Sequence, residues 1–261
     1  MTMDNINKTL YIPLRGKAFV SRKGIILNDP KAEEIWAAEG FPLKGKSRSR
    51  WLAYYMGMRS AVFDRWLRQQ MEADPEAVVV HPGCGLDSRI ARVGTQNHIW
   101  FDIDFPDVIA QRGRHYDASG SYNMLGSDIR SVNWSDVAAG GNAIVVMEGV
   151  SMYLSPDELI RTLSRICGHF EKVRILMDCY SEFAARASRY KNPINDVGVT
   201  QVYGIDDPKL LEKAGMRFVR EHDMTPPELT DTLTGIEKKI FKTLFVGSVA
   251  AKMYRLYEFR K

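Results

Sequence analysis

Apolar positions in this 261-residue chain gather into short runs rich in β-branched and aromatic residues, separated by longer stretches with helical spacing. Strands are predicted at residues 77–81 (AVVVH), 98–103 (HIWFDI), 143–147 (AIVVM) and 173–177 (VRILM), with a weaker one at 123–126. Between the last two, Ser155-Pro156-Asp157-Glu158 reads as a helix start, with Ser at the N-cap, Pro at the first position and acids in the first turn. Leu159, Ile160, Leu163 and Ile166 then recur at helical spacing. Residues 51–71 predict a long amphipathic helix, 216–219 a further strand, and the alternating segment 254–260 a last one, antiparallel if it returns beside its predecessor. Strands alternating with helices imply an α/β domain whose parallel sheet is covered on both faces.

No repeat or low-complexity tract interrupts this pattern, so one domain, 1–261, is expected. Residues 1–50 form an N-terminal arm or lid, 51–180 the core, 180–206 an insertion over the site, and 207–261 the C-terminal strands and helix. Apolar content of 45% and charged content of 26% are ordinary for a globular protein. No apolar run suits a membrane span or a secretory signal. The three cysteines, Cys84, Cys167 and Cys179, have no metal-ligand spacing, so reduced thiols, a cytoplasmic location and no metal are expected. The net charge of +4 is concentrated in 15–23, 44–50 and the C-terminal pair, without the dense aromatic-laced stripe of a nucleic-acid surface. No nucleic-acid partner is expected, and the basic N-terminal third suits an anionic substrate.

In an open parallel sheet, ligands bind beyond the carboxyl ends of the strands, where strand order reverses. Gly83, Cys84 and Gly85 follow the first predicted strand, Asp102 and Asp104 end the second, Ser127-Asp128-Ile129 follows the third and Glu148-Gly149-Val150 the fourth. Glycines there let backbone approach a ligand closely. An acid about twenty residues further on suits ribose hydroxyls. An acid beside an aliphatic residue suits an adenine amino group and ring face. The third glycine of a dinucleotide fingerprint is missing, so the pattern implies an adenosine cofactor that needs no pyrophosphate loop.

The successive segments "VVVHPGCGLDSR", "WFDIDFPDVI", "GSDIRSVNW" and "MEGVSMYLSPDEL" resemble the motifs of the leucine carboxyl methyltransferase family, in particular its bacterial polyketide O-methyltransferase branch. The resemblance implies a Rossmann-like class I methyltransferase with a seven-stranded, mostly parallel sheet. It implies S-adenosylmethionine as cofactor and S-adenosylhomocysteine as product. Carried over by position, Gly83 and Gly85 line the methionine and ribose, and Asp104 ranks above Asp102 for the ribose. Asp128 and Ile129 contact adenine, Glu148 heads the floor of the transfer site, and Arg59 in "YYMGMRSAVFD" takes the cofactor carboxylate. His81-Pro82 departs from the family's usual pair before the glycines, and is expected in a loop. The arm resembles bacterial members, which argues against a phosphatase C-terminus as substrate.

Methyl transfer to a carboxylate requires no base, because the acceptor is already ionised at neutral pH; a phenol or enol requires one. None of His98, His115, His169 or His222 falls in a motif. An O-methyltransferase acting on a carboxylate of a small, acidic molecule is therefore the favoured reading. Alternatives are a protein C-terminus as acceptor, or a cofactor-binding protein without catalysis. Tyr153 is a candidate to orient the acceptor; Tyr180, Arg186, Arg189 and Tyr203 lie in the insertion expected to cover the site, where an arginine could clamp an acidic substrate but both arginines read better as solvent-facing helix residues. An amino-group methylase of nucleic acid wants an Asn/Asp-Pro-Pro-aromatic segment where this chain has Glu148-Gly149-Val150-Ser151.

Overall fold

The computed structural model describes residues 8–138, 141–188, 201–247 and 252–261. Arg189 and residues 189–200 of the expected insertion lie outside them. Seven strands form one sheet: β1 (Val78–Pro82), β2 (Trp100–Asp104), β3 (Tyr122–Gly126), β4 (Asn142–Met147), β5 (Lys172–Tyr180), β6 (Arg217–Glu221) and β7 (Tyr254–Arg260). Their spatial order is β3-β2-β1-β4-β5-β7-β6. β1 to β5 run parallel, and β7 is antiparallel to both β5 and β6, with Tyr180 opposite Tyr254. The sheet is the mostly parallel α/β architecture that the alternation of segments predicted. The strand order reverses between β2 and β4, on either side of β1.

The central strands form because Val79, Val80, Ile144, Val145 and Val146 are buried on both faces, as β-branched runs in a covered parallel sheet require. Nine α-helices are described: α1 (Tyr11–Arg22), α2 (Pro30–Glu39), α3 (Arg50–Ala73), α4 (Arg89–Val93), α5 (Pro106–Arg112), α6 (Pro156–His169), α7 (Glu182–Ala187), α8 (Pro227–Thr230) and α9 (Gly235–Phe245). α6 starts at the expected place, with Ser155 and Glu158 forming a reciprocal capping box. One core cluster joins α6 to one face of the sheet, and a second joins α3 to the other. No helix among the described residues is long and apolar enough to cross a membrane.

The N-terminal arm lies tightly on the core. A Cβ added at Gly16 would sit 2.8 Å from the Met56 side chain, and one at Gly57 would sit 2.8 Å from Val20, so glycines set the approach of α1 to α3. Buried ion pairs then lock the arm to the turn after β1: Lys17 to Asp87 at 2.9 Å and Asp29 to Arg92 at 2.6 Å.

Asp102 is fully buried inside the sheet. Its oxygens accept from His81 at 3.1 Å, Trp100 at 2.8 Å and Tyr122 at 2.7 Å, and pair with Arg112 at 2.5 Å. Burial alone would raise its pKa, but the Arg112 charge and these donors outweigh burial and lower it to about 2. The pair's contribution to stability is therefore present above the ordinary pKa of 3.8 and lost as pH falls toward about 2. Asp102→Ala leaves Arg112 buried without its partner, and is expected to cost about 3–5 kcal/mol in urea unfolding at neutral pH. Asp102→Ala with Arg112→Met is expected to recover much of that loss.

Candidate active site at the carboxyl ends of the strands

A cavity of about 200 Å³ opens at the reversal of strand order, between the carboxyl ends of the strands and α1. Arg59, Gly83, Gly85, Asp104, Asp128, Ile129, Glu148 and Tyr153 all line it. Asp102, the other cofactor-binding residue expected from the sequence, does not, because its carboxylate is engaged inside the sheet. That overturns its place as a ribose ligand.

The turn after β1 is shaped by two constraints. Gly83 has φ +69°, and a Cβ there would lie 2.2 Å from Val150 Cγ2, so no side chain fits. Gly85 donates its N–H to Asp104 at 2.7 Å, while Arg112 donates to the Gly85 and Asp87 carbonyls at 3.1 and 2.7 Å. Asp104 also accepts the Phe105 N–H at 2.8 Å. Burial raises its pKa to about 6 despite these two bonds. Each Asp104 oxygen carries one backbone bond and retains acceptor capacity toward the cavity.

Glu148, at the end of β4, is gripped from several sides. Its Oε1 accepts from Arg59 Nε at 3.0 Å and Ser60 at 2.9 Å, and its Oε2 accepts from Arg89. Burial would raise its pKa, but the charges of Arg59 and Arg89 hold it at about 2. A carboxylate so stabilised binds donors well and is a poor proton acceptor at neutral pH. Arg59 itself is buried and reaches Asp178 at 2.8 Å. Asp64, the nearest acid along its helix, is taken instead by Arg89 and Arg92.

His81 is not in a loop; it lies in β1, paired opposite Asp102 of β2, and is 1% exposed. Its Nδ1 faces Asp102 and its Nε2 faces Arg89, each at 3.1 Å. Arginine can only donate, so Nε2 accepts and the ring proton sits on Nδ1. Neither nitrogen is left to take a proton from a substrate. His98, His115, His169 and His222 bond to Ala77, Glu39, Ala138 and Glu258 and do not line the cavity.

Tyr153 bonds to Thr9, and burial pushes its pKa well up, so its hydroxyl is a neutral donor. Arg186 points outward, 71% exposed, and Tyr203 bonds to Gln201; neither reaches the cavity. Asp128 is clasped by Arg130, with a shortest contact of 2.6 Å. Sequence reasoning missed Lys17, Asp178 and Tyr254. Lys17 and Tyr254 line the cavity, and Tyr254 packs its ring 5.8 Å from the Arg59 guanidinium. Neither lies after a parallel strand or in a segment that resembles a family motif, the two signals that located the others.

Residues 13–167 match the family model described as leucine carboxyl methyltransferase. The chain belongs to the leucine carboxyl methyltransferase family. It is an S-adenosylmethionine-dependent methyltransferase. Among its relatives in this family is the tetracenomycin polyketide synthesis O-methyltransferase TcmP of Streptomyces glaucescens, 28% identical over 90% of this chain and 89% of TcmP. The S-adenosyl-L-methionine-dependent methyltransferase dpfgK of Gibberella zeae is 27% identical, over 81% of this chain and 79% of its own length. The fold is shared with magnesium protoporphyrin IX methyltransferase (ChlM) of Synechocystis PCC 6803, at TM-score 0.52 and 11% identity over 94% of this chain and 97% of that one. A methyltransferase from Mesorhizobium loti gives 0.57 at 9% identity over 78% of this chain and 100% of that one.

For this family member, Gly83→Ala must meet both the positive φ and the Val150 side chain, and is expected to cost about 2 kcal/mol or more. Urea unfolding checks this. Measured against Val150→Ala alone, adding Gly83→Ala is expected to cost less, because only the backbone penalty remains.

Proposed function

We propose that this chain transfers a methyl group to a carboxylate oxygen of a small molecule. The observation that carries the reading is a cavity into which α1, α3 and the ends of β1, β2, β3 and β4 together bring Lys17, Arg59, Gly83, Gly85, Asp104, Asp128, Ile129 and Glu148. These residues fit S-adenosylmethionine. Asp104 accepts from the ribose hydroxyls, and the Gly83–Gly85 turn lets backbone lie against ribose and methionine. Asp128 and Ile129 take the adenine edge and face. Arg59 and Lys17 bind the cofactor's carboxylate, and Glu148 accepts from its ammonium. The bound cofactor supplies an electrophilic methyl carbon on a sulfonium sulfur.

The protein's part is alignment. Proximity and orientation carry much of the barrier to an in-line displacement, and residues fixed by buried ion pairs give the cavity a rigid floor. A carboxylate acceptor suits walls where His81 is tied at both nitrogens and Glu148 is held far below neutral pH. Tyr153, a neutral donor, orients the acceptor oxygen without competing for a proton. The relative TcmP, whose name describes an O-methyltransferase of polyketide synthesis, supports a small-molecule oxygen acceptor. Net charge +4 supports an acidic one. The buried free thiols of Cys84, Cys167 and Cys179 suit the cytoplasm.

Calorimetry with S-adenosylhomocysteine tests the cofactor site. Asp104→Ala is expected to weaken binding at least tenfold, and unchanged affinity would remove Asp104 from the site. Because protonation removes the acceptor charge, wild-type affinity is expected to fall by about tenfold per pH unit below about pH 6. In Asp104→Asn that slope should be absent. Transfer of labelled methyl to carboxylic acids tests the acceptor. A methyl ester releases its label as methanol in alkali, whereas an alkali-stable product would mean a phenol or enol oxygen and overturn the carboxylate reading.

A further inference from the structure

We infer that Asp178 is a positioning residue that holds Arg59 in register for the carboxylate of the cofactor. The inference rests on the reading of Arg59 given above and adds to it a residue that touches no ligand. Asp178 lies in β5, is fully buried and does not line the cavity. Its two oxygens are divided between two parts of the site. Oδ1 accepts the Gly149 N–H at 2.6 Å, and Oδ2 accepts from Arg59 Nη1 at 2.8 Å. One carboxylate thus joins β5 to the turn after β4 and to α3.

A guanidinium is planar and carries five N–H donors. Glu148 takes the Nε side, with Nη2 also 3.0 Å away, and Asp178 takes one Nη1 proton. At least two N–H donors therefore remain on the terminal nitrogens of a side chain that lines the cavity. Two carboxylates on separate strands fix the plane of the fork, which one carboxylate alone does not. Gly149 completes the seat. Its φ of +73° accompanies the N–H bond to Asp178, and a Cβ there would lie 3.6 Å from Arg59 Nη2. Tyr254 packs against the same guanidinium. A buried carboxylate must be compensated by paired donors. Asp178 meets that requirement largely through Arg59 and the Gly149 N–H, the two groups whose mutual position defines this end of the cavity.

The test compares S-adenosylhomocysteine with 5′-methylthioadenosine, which has the same nucleoside and sulfur but no amino-acid end. Calorimetry is run on wild type, Arg59→Met, Asp178→Asn and the double variant. Asp178→Asn keeps shape and an acceptor for Gly149 but loses the charge-assisted bond, so S-adenosylhomocysteine should weaken about tenfold and methylthioadenosine less than twofold. In the Arg59→Met background, Asp178→Asn should change neither ligand further, a comparison that holds even if the Asp178 single variant does not fold. Equal weakening of both ligands by Asp178→Asn, or a further loss on top of Arg59→Met, would overturn the inference by showing a general structural role. If Arg59→Met itself weakened both ligands equally, the carboxylate reading of Arg59 would fall, and the Asp178 inference with it.

Discussion

Everything at the catalytic end of this molecule depends on a buried lattice of opposite charges. Lys17, Arg59, Arg89, Arg92 and Arg112 interleave with Asp29, Asp64, Asp87, Asp102, Glu148 and Asp178, all with buried side chains. Such pairs are not stabilising in proportion to their Coulomb energy, because each ion has given up its hydration. Their effect here is geometric. Arg89 alone contacts Asp64, Asp87 and Glu148, so the long helix, the turn after β1 and the end of β4 are fixed relative to one another. Removing one member leaves a buried charge with fewer partners in a medium that solvates it poorly, and shared partners such as Arg89 and Arg92 tie the pairs together.

The same lattice explains why the arm is part of the site. Lys17 sits 2.9 Å from Asp87, and Asp29 accepts from Ser88 at 2.6 Å and Arg92 at 2.6 Å. α1 thereby becomes one wall of the cavity, contributing Ile12, Pro13 and Leu14 beside Lys17. A helix joined only by apolar contact could slide; one joined by buried ion pairs has a single register.

Around Tyr254 the packing is aromatic. Tyr254 stands 4.5 Å from Tyr180 and 5.7 Å from Tyr55, ring centre to ring centre. Burial raises the pKa of Tyr55, Tyr153 and Tyr254. The phenols therefore stay neutral, and Tyr153 and Tyr254 line the cavity without adding a negative charge.

The sequence by itself determined the sheet, the helix start at Ser155 and the places where chemistry would gather, because apolar periodicity and capping are local properties of the chain. Strand ends marked by glycine or acid are legible for the same reason: a parallel sheet brings its carboxyl ends to one edge whatever the loops do. Tertiary structure decided which of two aspartates two residues apart faces the cavity. Asp102 is claimed by Arg112 and Tyr122, and Asp104 is left at the rim. Tertiary structure also decided the partners of each buried charge. Arg59 meets Asp178 across 119 positions and Glu148 across 89, and no local pattern encodes contacts at such separations. The partner of a buried ion is chosen by whichever opposite charge packing delivers to it, and that choice exists only once the chain has folded.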